Sequence, residues 1–176
     1  GTLLVSDKTA LERIFTETAG LIAVHAEDED RMAERRKLIE GRTDIAAHAY
    51  YRDDITALMA TKLSVELAHK TGHRLHILHL TSGIEADYLN DHCTLPSMAD
   101  GYPIITTEVL PQHLTFDETD VDEHGVRLQM NPPIRYAKDR EILWQRLVDG
   151  TIQCIATDHA PHTLEAKSKG LSLIHI

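Results

Sequence analysis

The sequence predicts an α/β fold built on a parallel sheet. Short apolar runs of strand length alternate with longer stretches of helical spacing, an order that requires parallel strands joined by right-handed crossovers. Three of the four apolar runs end in a residue able to bind a metal: His25, His79 and Asp158. Parallel sheets keep their ligand sites at those carboxyl ends. The length of 176 residues, 42% of them hydrophobic and 26% charged, suits one globular domain.

The first strand is Leu21-Ile22-Ala23-Val24, a short buried run leading into His25. A polar, helix-prone stretch follows from about Asp28 to Glu40, and Gly41 breaks it. Asp53 and Asp54 suit the N-cap of the next helix, in which Ile55, Met59, Leu63 and Leu67 recur at i+4 with Leu58 and Val65 beside them. Gly72 is its C-terminal stop. The second strand, Leu75-His76-Ile77-Leu78, ends at His79-Leu80-Thr81, and Ser82 with Glu85 forms a capping box for a short helix. Pro103 to Val109 is the third strand, and a polar loop is expected over about Thr115 to Gly125. Lys138 to Val148 has helical spacing through Ile142, Leu143 and Leu147. Gln153-Cys154-Ile155-Ala156-Thr157 is the fourth strand and runs into Asp158. The strands are thus expected near 21–25, 74–80, 103–109 and 152–157, parallel and adjacent in that order. No internal repeat or linker divides the chain.

The balance of 18 Lys and Arg against 28 Asp and Glu gives a net charge of −10, which repels phosphate backbones and argues against a nucleic-acid partner. No apolar run approaches the roughly 20 residues of a membrane span, and no basic leader precedes an apolar stretch. Cys93 and Cys154 lie far apart and form neither a metal-type pair nor a disulfide framework, so a reducing cytoplasm is expected. Twelve histidines are the compositional outlier, and histidine is both the commonest metal ligand and the usual acid or base near neutral pH.

Taken singly, His25 or His79 is a strand-end histidine that need only hydrogen-bond, and Glu27-Asp28-Glu29 suits the acidic first turn of a helix. The sharper reading makes both histidines metal ligands at the mouth of the sheet. His76 and His79 stand three apart on a strand and so point to opposite faces; His79, nearer the carboxyl end, is the candidate ligand and His76 a packing residue. Thr157-Asp158-His159-Ala160-Pro161-His162 carries the strongest signal. A carboxylate at the end of an apolar strand is costly to bury without a cation, and Pro161 stiffens the loop that aims His162 back at the mouth.

Ala156-Thr157-Asp158-His159-Ala160-Pro161-His162-Thr163 resembles the eighth-strand signature of the dihydroorotases, cyclic amidases of the amidohydrolase superfamily. Val24-His25-Ala26-Glu27-Asp28-Glu29 resembles that family's fifth-strand motif, and His76 to Ser82 its sixth. Glu108 to Leu114 resembles the seventh-strand segment, and Met130-Asn131-Pro132-Pro133-Ile134-Arg135 the segment after it. The resemblance covers about residues 1 to 171, five motifs in the family's order. It implies a partial (β/α)8 barrel of the metal-dependent hydrolase type, strands five to eight with their helices. Residues 172–176 fall outside the family pattern.

The resemblance also implies roles. His25 and His79 would hold one zinc of a binuclear pair; Asp158 would bind the other and act as general acid and base. His162 would bind the substrate carboxylate, and Asn131 would contact the substrate ring. Asp44, His48 and Arg52 match a family segment without a direct role, and His113 lies in a family motif. The first-strand His-x-His pair, the arginine for the substrate carboxylate and the bridging group, a carboxylated lysine in many members and an aspartate in others, have no counterpart here, so the chain alone is expected to show little or no turnover. The implied reaction interconverts dihydroorotate and N-carbamoyl-aspartate in pyrimidine biosynthesis. The implied partners are that small substrate and either further copies of the chain or aspartate transcarbamoylase. Three rivals stand beside it: a dihydropyrimidinase or allantoinase on the same metal frame, an inactive homologue acting as a scaffold for aspartate transcarbamoylase, and an α/β domain with surface histidines.

Overall fold

The structure, a computed structural model, describes residues 5, 7–92, 101 and 103–168. Its centre is a four-stranded sheet, β1 (Ile22–Val24), β2 (Leu75–Leu80), β3 (Ile105–Val109) and β4 (Cys154–Ile155), in the order β1-β2-β3-β4. Every neighbouring pair is parallel. The four expected strands are all present, each shorter than its apolar run, most of all β4. Residues 172–176 and Cys93 lie outside the described residues; Cys154 is free and exposed.

The strands alternate in burial. Leu75 and Ile77 of β2 and Ile105 and Val109 of β3 turn toward the helices and are buried, as the period of two demands. The helices covering that face include α1 (Lys8–Glu17), α4 (Asp54–Thr71), α5 (Gly83–His92) and α8 (Ala137–Val148), which add Phe15, Val65, Ala68, Leu89 and Leu143 to one core. Between them in the chain come α2 (Glu29–Arg36), α3 (Ala46–Tyr51), α6 (Pro111–Thr115) and α7 (Glu118–His124), with α9 (Leu164–Ser168) last.

α4 begins and ends where its sequence says. The Asp53 carboxylate accepts the Thr56 N–H at 2.9 Å, and Gly72 closes the helix in the left-handed region at φ +67°. The second half of the expected stripe is buried, with Val65 and Leu67 in the core and Leu63 packed against it, but the first half is not. Ile55 and Met59 are exposed, while Thr56, Ala57, Thr61, Val65 and Ala68 are buried. Small side chains let the helix sit close to its neighbours, and the Thr61 hydroxyl donates to Glu85 at 2.8 Å.

α5 is held as closely. A Cβ on Gly83 would come within 2.5 Å of Ile142 Cδ1, so any larger residue there would have to push the Ile142 side chain aside where α5 meets α8. The Gly83 N–H donates to Asp139 on α8 at 2.8 Å. Ser82 and Glu85, the expected capping-box pair, meet through their side chains, the Glu85 carboxylate accepting the Ser82 hydroxyl at 2.7 Å.

The expected polar loop at 115–125 is corrected. Residues 118–124 form α7, opened by a capping box in which Asp117 accepts the Thr119 N–H and Asp120 accepts the Asp117 N–H, both at 2.9 Å. The segment lacks apolar periodicity because no residue of the helix is buried, so only its caps mark it. α1 also goes beyond the expected elements.

Candidate active site

Two strand ends bring His25 and His79 together. His25 directly follows β1, and His79 lies near the end of β2, where the pairing with β3 slips: Ile77 pairs with Thr107, but Leu80 pairs with Val109. That slip gives β2 one extra residue and re-aims the side chain beside it. His79 has φ +37°, in the left-handed region that non-glycine residues enter only when their surroundings hold them there. One such holder is Glu108 on β3, whose Oε1 accepts the His79 N–H at 3.3 Å. The other oxygen of Glu108 accepts from His76 Nε2 at 3.1 Å, and the Thr106 hydroxyl meets His76 Nδ1 at 2.8 Å. His76 is therefore tied to β3, and His79 is the histidine that meets His25.

The two rings face each other edge to face, with His25 Nδ1 2.8 Å from His79 Nε2. The far side of His25 fixes its proton. His25 Nε2 donates to Glu27 Oε2 at 2.9 Å, which leaves Nδ1 as the acceptor side of the ring, facing His79 Nε2. Glu27 itself is buried and gripped by Arg52, which donates from Nε at 3.0 Å and from Nη2 to the oxygen that His25 shares. Burial works to raise the Glu27 pKa; the hydrogen bonds from His25 and Arg52 outweigh it and hold it at about 2. Burial pushes the His79 ring below its ordinary value, His25 adds to this, and the Asp158 carboxylate opposes it.

This pair fits a divalent cation. A histidine ligand commonly gives its second nitrogen to a carboxylate, as His25 does to Glu27. Two imidazoles on one tetrahedral zinc have their nitrogens about 3.3 Å apart, so a small opening of the pair would admit the ion. Among the described residues, no group of three or more His, Cys, Asp or Glu is assembled to hold a metal. The fit is that of two ligands.

Asp158, the third expected ligand, follows β4 and also lies in the left-handed region, at φ +43°. Its carboxylate acts on His79 electrostatically but is not gathered into a cluster with the two histidines. It lines a cleft of about 500 Å³ together with Asn131 and His162. The two residues expected to hold substrate thus share a cavity with the expected acid–base group, and His25 lies outside that cavity's lining.

Two residues without assigned roles brace the Asn131 segment. His48 on α3 donates from Nε2 to the Met130 carbonyl at 2.9 Å, and His113 on α6 donates from Nε2 to the Pro132 carbonyl at 3.3 Å. Both rings are buried, and burial lowers their pKa values to about 4 and about 3. Arg135 completes the brace, reaching Thr81 Oγ1 at 2.9 Å and the Arg52 carbonyl at 2.7 Å. Glu27 and Arg52 could have been paired from sequence only by knowing the fold, since 25 residues separate them.

No family model matches the chain. Individual relatives do. It is 35% identical over 163 residues to the dihydroorotase of Halobacterium salinarum, an alignment covering 92% of this chain and 35% of that protein. It is 43% identical over 107 residues to the dihydroorotase of Latilactobacillus sakei, covering 61% of this chain and 24% of that one. Among solved structures, the L-hydantoinase (dihydropyrimidinase) of Arthrobacter aurescens superposes with a TM-score of 0.86 at 26% identity, over 98% of this chain and 38% of that one. The D-hydantoinase of Bacillus sp. AR9 gives 0.83 at 26%, over 98% and 39%. The chain spans about a third of the length of these relatives. Its parallel sheet and helix layer are part of a (β/α)8 barrel.

Proposed function

This chain belongs with the dihydroorotases among the cyclic amidohydrolases, and on that premise we propose that the protein carrying it opens and closes the dihydroorotate ring, giving N-carbamoyl-aspartate. The observation that carries the reading is the pairing of His25 Nδ1 and His79 Nε2 at 2.8 Å, on adjacent strand ends, with the outer proton of His25 committed to Glu27. His79 is buried with a left-handed backbone, and the exposed His25 has a buried ion pair behind it.

Zinc in a binuclear centre, when bound, supplies Lewis-acid polarisation of the ring amide and a nucleophile at neutral pH. His25 and His79 each offer one ring nitrogen to it. Glu27 and Arg52 keep the His25 ring from turning. The Asp158 carboxylate accepts the proton of the attacking water and returns it to the departing ring nitrogen, the exchange expected of a general base that becomes a general acid. Asn131 and His162, on the walls of the same cleft, orient the ring and its carboxylate. The setting proposed is the cytoplasm, in pyrimidine biosynthesis; no helix among the described residues is long and apolar enough to cross a membrane.

The test is ring opening of dihydroorotate by the purified protein that carries this chain, before and after removal of its metal with a chelator. Metal-dependent turnover, with dihydrouracil and allantoin much poorer substrates, supports the reading. A preference for either uncharged ring would instead make it a dihydropyrimidinase or an allantoinase. The 176-residue chain alone is expected to turn over little or none, because catalysis depends on a complete and correctly spaced set of ligands.

A further inference from the structure

The cleft shared by Asp158, Asn131 and His162 has a further wall residue, Lys167, which the reaction as described does not use. Lys167 lies on the short helix α9, and its Nζ donates to two backbone carbonyls, Arg127 at 2.7 Å and Gln129 at 3.2 Å. An ammonium group has three N–H donors, so one is left over.

The Lys167 charge is uncompensated, whereas several other cations are paired. Among the described residues, Arg13 is paired with Glu17, Arg31 and Arg35 with Asp53, Arg140 with Asp117, and Arg146 with Asp87 and Asp149. No carboxylate among them reaches Lys167, although the chain carries a net charge of −10. Burial lowers its pKa, and no neighbouring charge contributes. A second cation, Arg127, is exposed on the same cleft and likewise lacks a carboxylate partner among the described residues. The remaining Nζ donor and its charge suit an anionic acceptor, which would form the stronger, charge-assisted bond.

We propose that Lys167 receives the anionic group of the substrate, a carboxylate carried on a small cyclic amide, in the cleft beside Asp158. The assignment rests on the functional reading above and deepens it. It adds a charged contact to the one His162 would make, and it supplies a physical reason for choosing a carboxylate-bearing ring over the uncharged rings that share the fold.

The test compares dihydroorotate with its methyl ester, in the metal-loaded protein that carries this chain. Lys167→Met keeps the aliphatic stem and removes the charge. Relative to the parent, it should raise KM for dihydroorotate roughly 10- to 100-fold more than for the ester, the worth of a charge-assisted hydrogen bond. Lys167→Arg should recover most of that difference. Lys167→Gln, which keeps two donors for the carbonyls without the charge, should behave like Lys167→Met. Both substrates are read in one preparation, so a misfolded fraction cancels from their ratio. Equal losses on the two substrates would mean that Lys167 only braces residues 127–129, and would overturn the proposal; so would unchanged KM values. A parent protein that opens neither ring overturns the functional reading first and the proposal with it.

Discussion

The two halves of the site are built differently. The His25–His79 half rests on β1 and β2, with the buried pair Glu27 and Arg52 behind the His25 ring and the half-buried Glu108 carboxylate holding the His79 backbone N–H. The Asp158 half sits on loops: β4 has two residues, both exposed, and His159, Pro161 and His162 are exposed after it. One half is fixed by electrostatics inside the fold. The other is open and is positioned by braces on the backbone, chiefly from His48 and His113 to residues 130 and 132. Under the proposed function, this is the division of labour that a rigidly held cation and an exchanging substrate would call for.

The comparison breaks first at Asp158. Asp158→Asn, in the protein that carries this chain, keeps the size of the side chain and removes the base. It should lower kcat by about 10²–10⁴-fold, measured under saturating dihydroorotate, while zinc content per chain stays largely intact. Equal loss of zinc and activity would move Asp158 into the rigid half. His162→Ala should instead raise KM by roughly 10–150-fold, for the loss of one charge-assisted hydrogen bond, with zinc retained. Metal analysis of His25→Ala and His79→Ala should show zinc lost, and retention in both would refute the ligand reading.

A finer cut lies behind the metal half. Glu27→Gln leaves both ring ligands in place but weakens the acceptor that orients His25. Zinc affinity should fall by about 10–100-fold, the usual effect of changing such a partner, as read by competition with a chromogenic chelator. No change would make the Glu27–Arg52 pair a packing feature.

The last effect is on stability and falls on the braces of the open half. His48 titrates at about 4 in the folded chain, against about 6.5 when unfolded. The unfolded form therefore takes up its proton first as the pH drops, so the stability due to the neutral buried ring is complete above pH 6.5. It is lost between there and about 4, at roughly 1.4 kcal/mol per pH unit. His113 acts in the same sense down to about 3. Urea midpoints should decline over this window, and His48→Gln, which keeps a donor for the Met130 carbonyl without titrating, should flatten the decline.

Much of this was legible in the sequence because it depends on local periodicity. The strand runs, the Asp53 and Gly72 caps and the residues at the strand ends all declare themselves within a few positions. What sequence missed depends on contacts across the fold. Ile55 and Met59 have the right spacing for a buried stripe, yet α4 buries its small residues because close packing favours them there. Glu27 reads as part of an acidic first turn, whereas Asp28 is the cap and Glu27 turns inward to Arg52. His76 and His79 were distinguished by position alone; the inserted residue that actually separates them is visible only in the register of β2 against β3. His48 and His113 carried no signal as braces, since their acceptors are carbonyls 82 and 19 residues away.

The inserted residue in β2 bears on anyone who wishes to transplant this histidine pair into another scaffold. Copying His25 and His79 onto two neighbouring parallel strands would not reproduce their meeting, because a regular strand has no left-handed position from which His79 could be aimed. The graft would have to carry three strands: the first histidine, the slipped second strand, and a carboxylate at the place of Glu108 to accept the amide that the slip leaves free. The portable unit is therefore larger than the two histidines, and a designer who copies only those rings would leave out the carboxylate on β3.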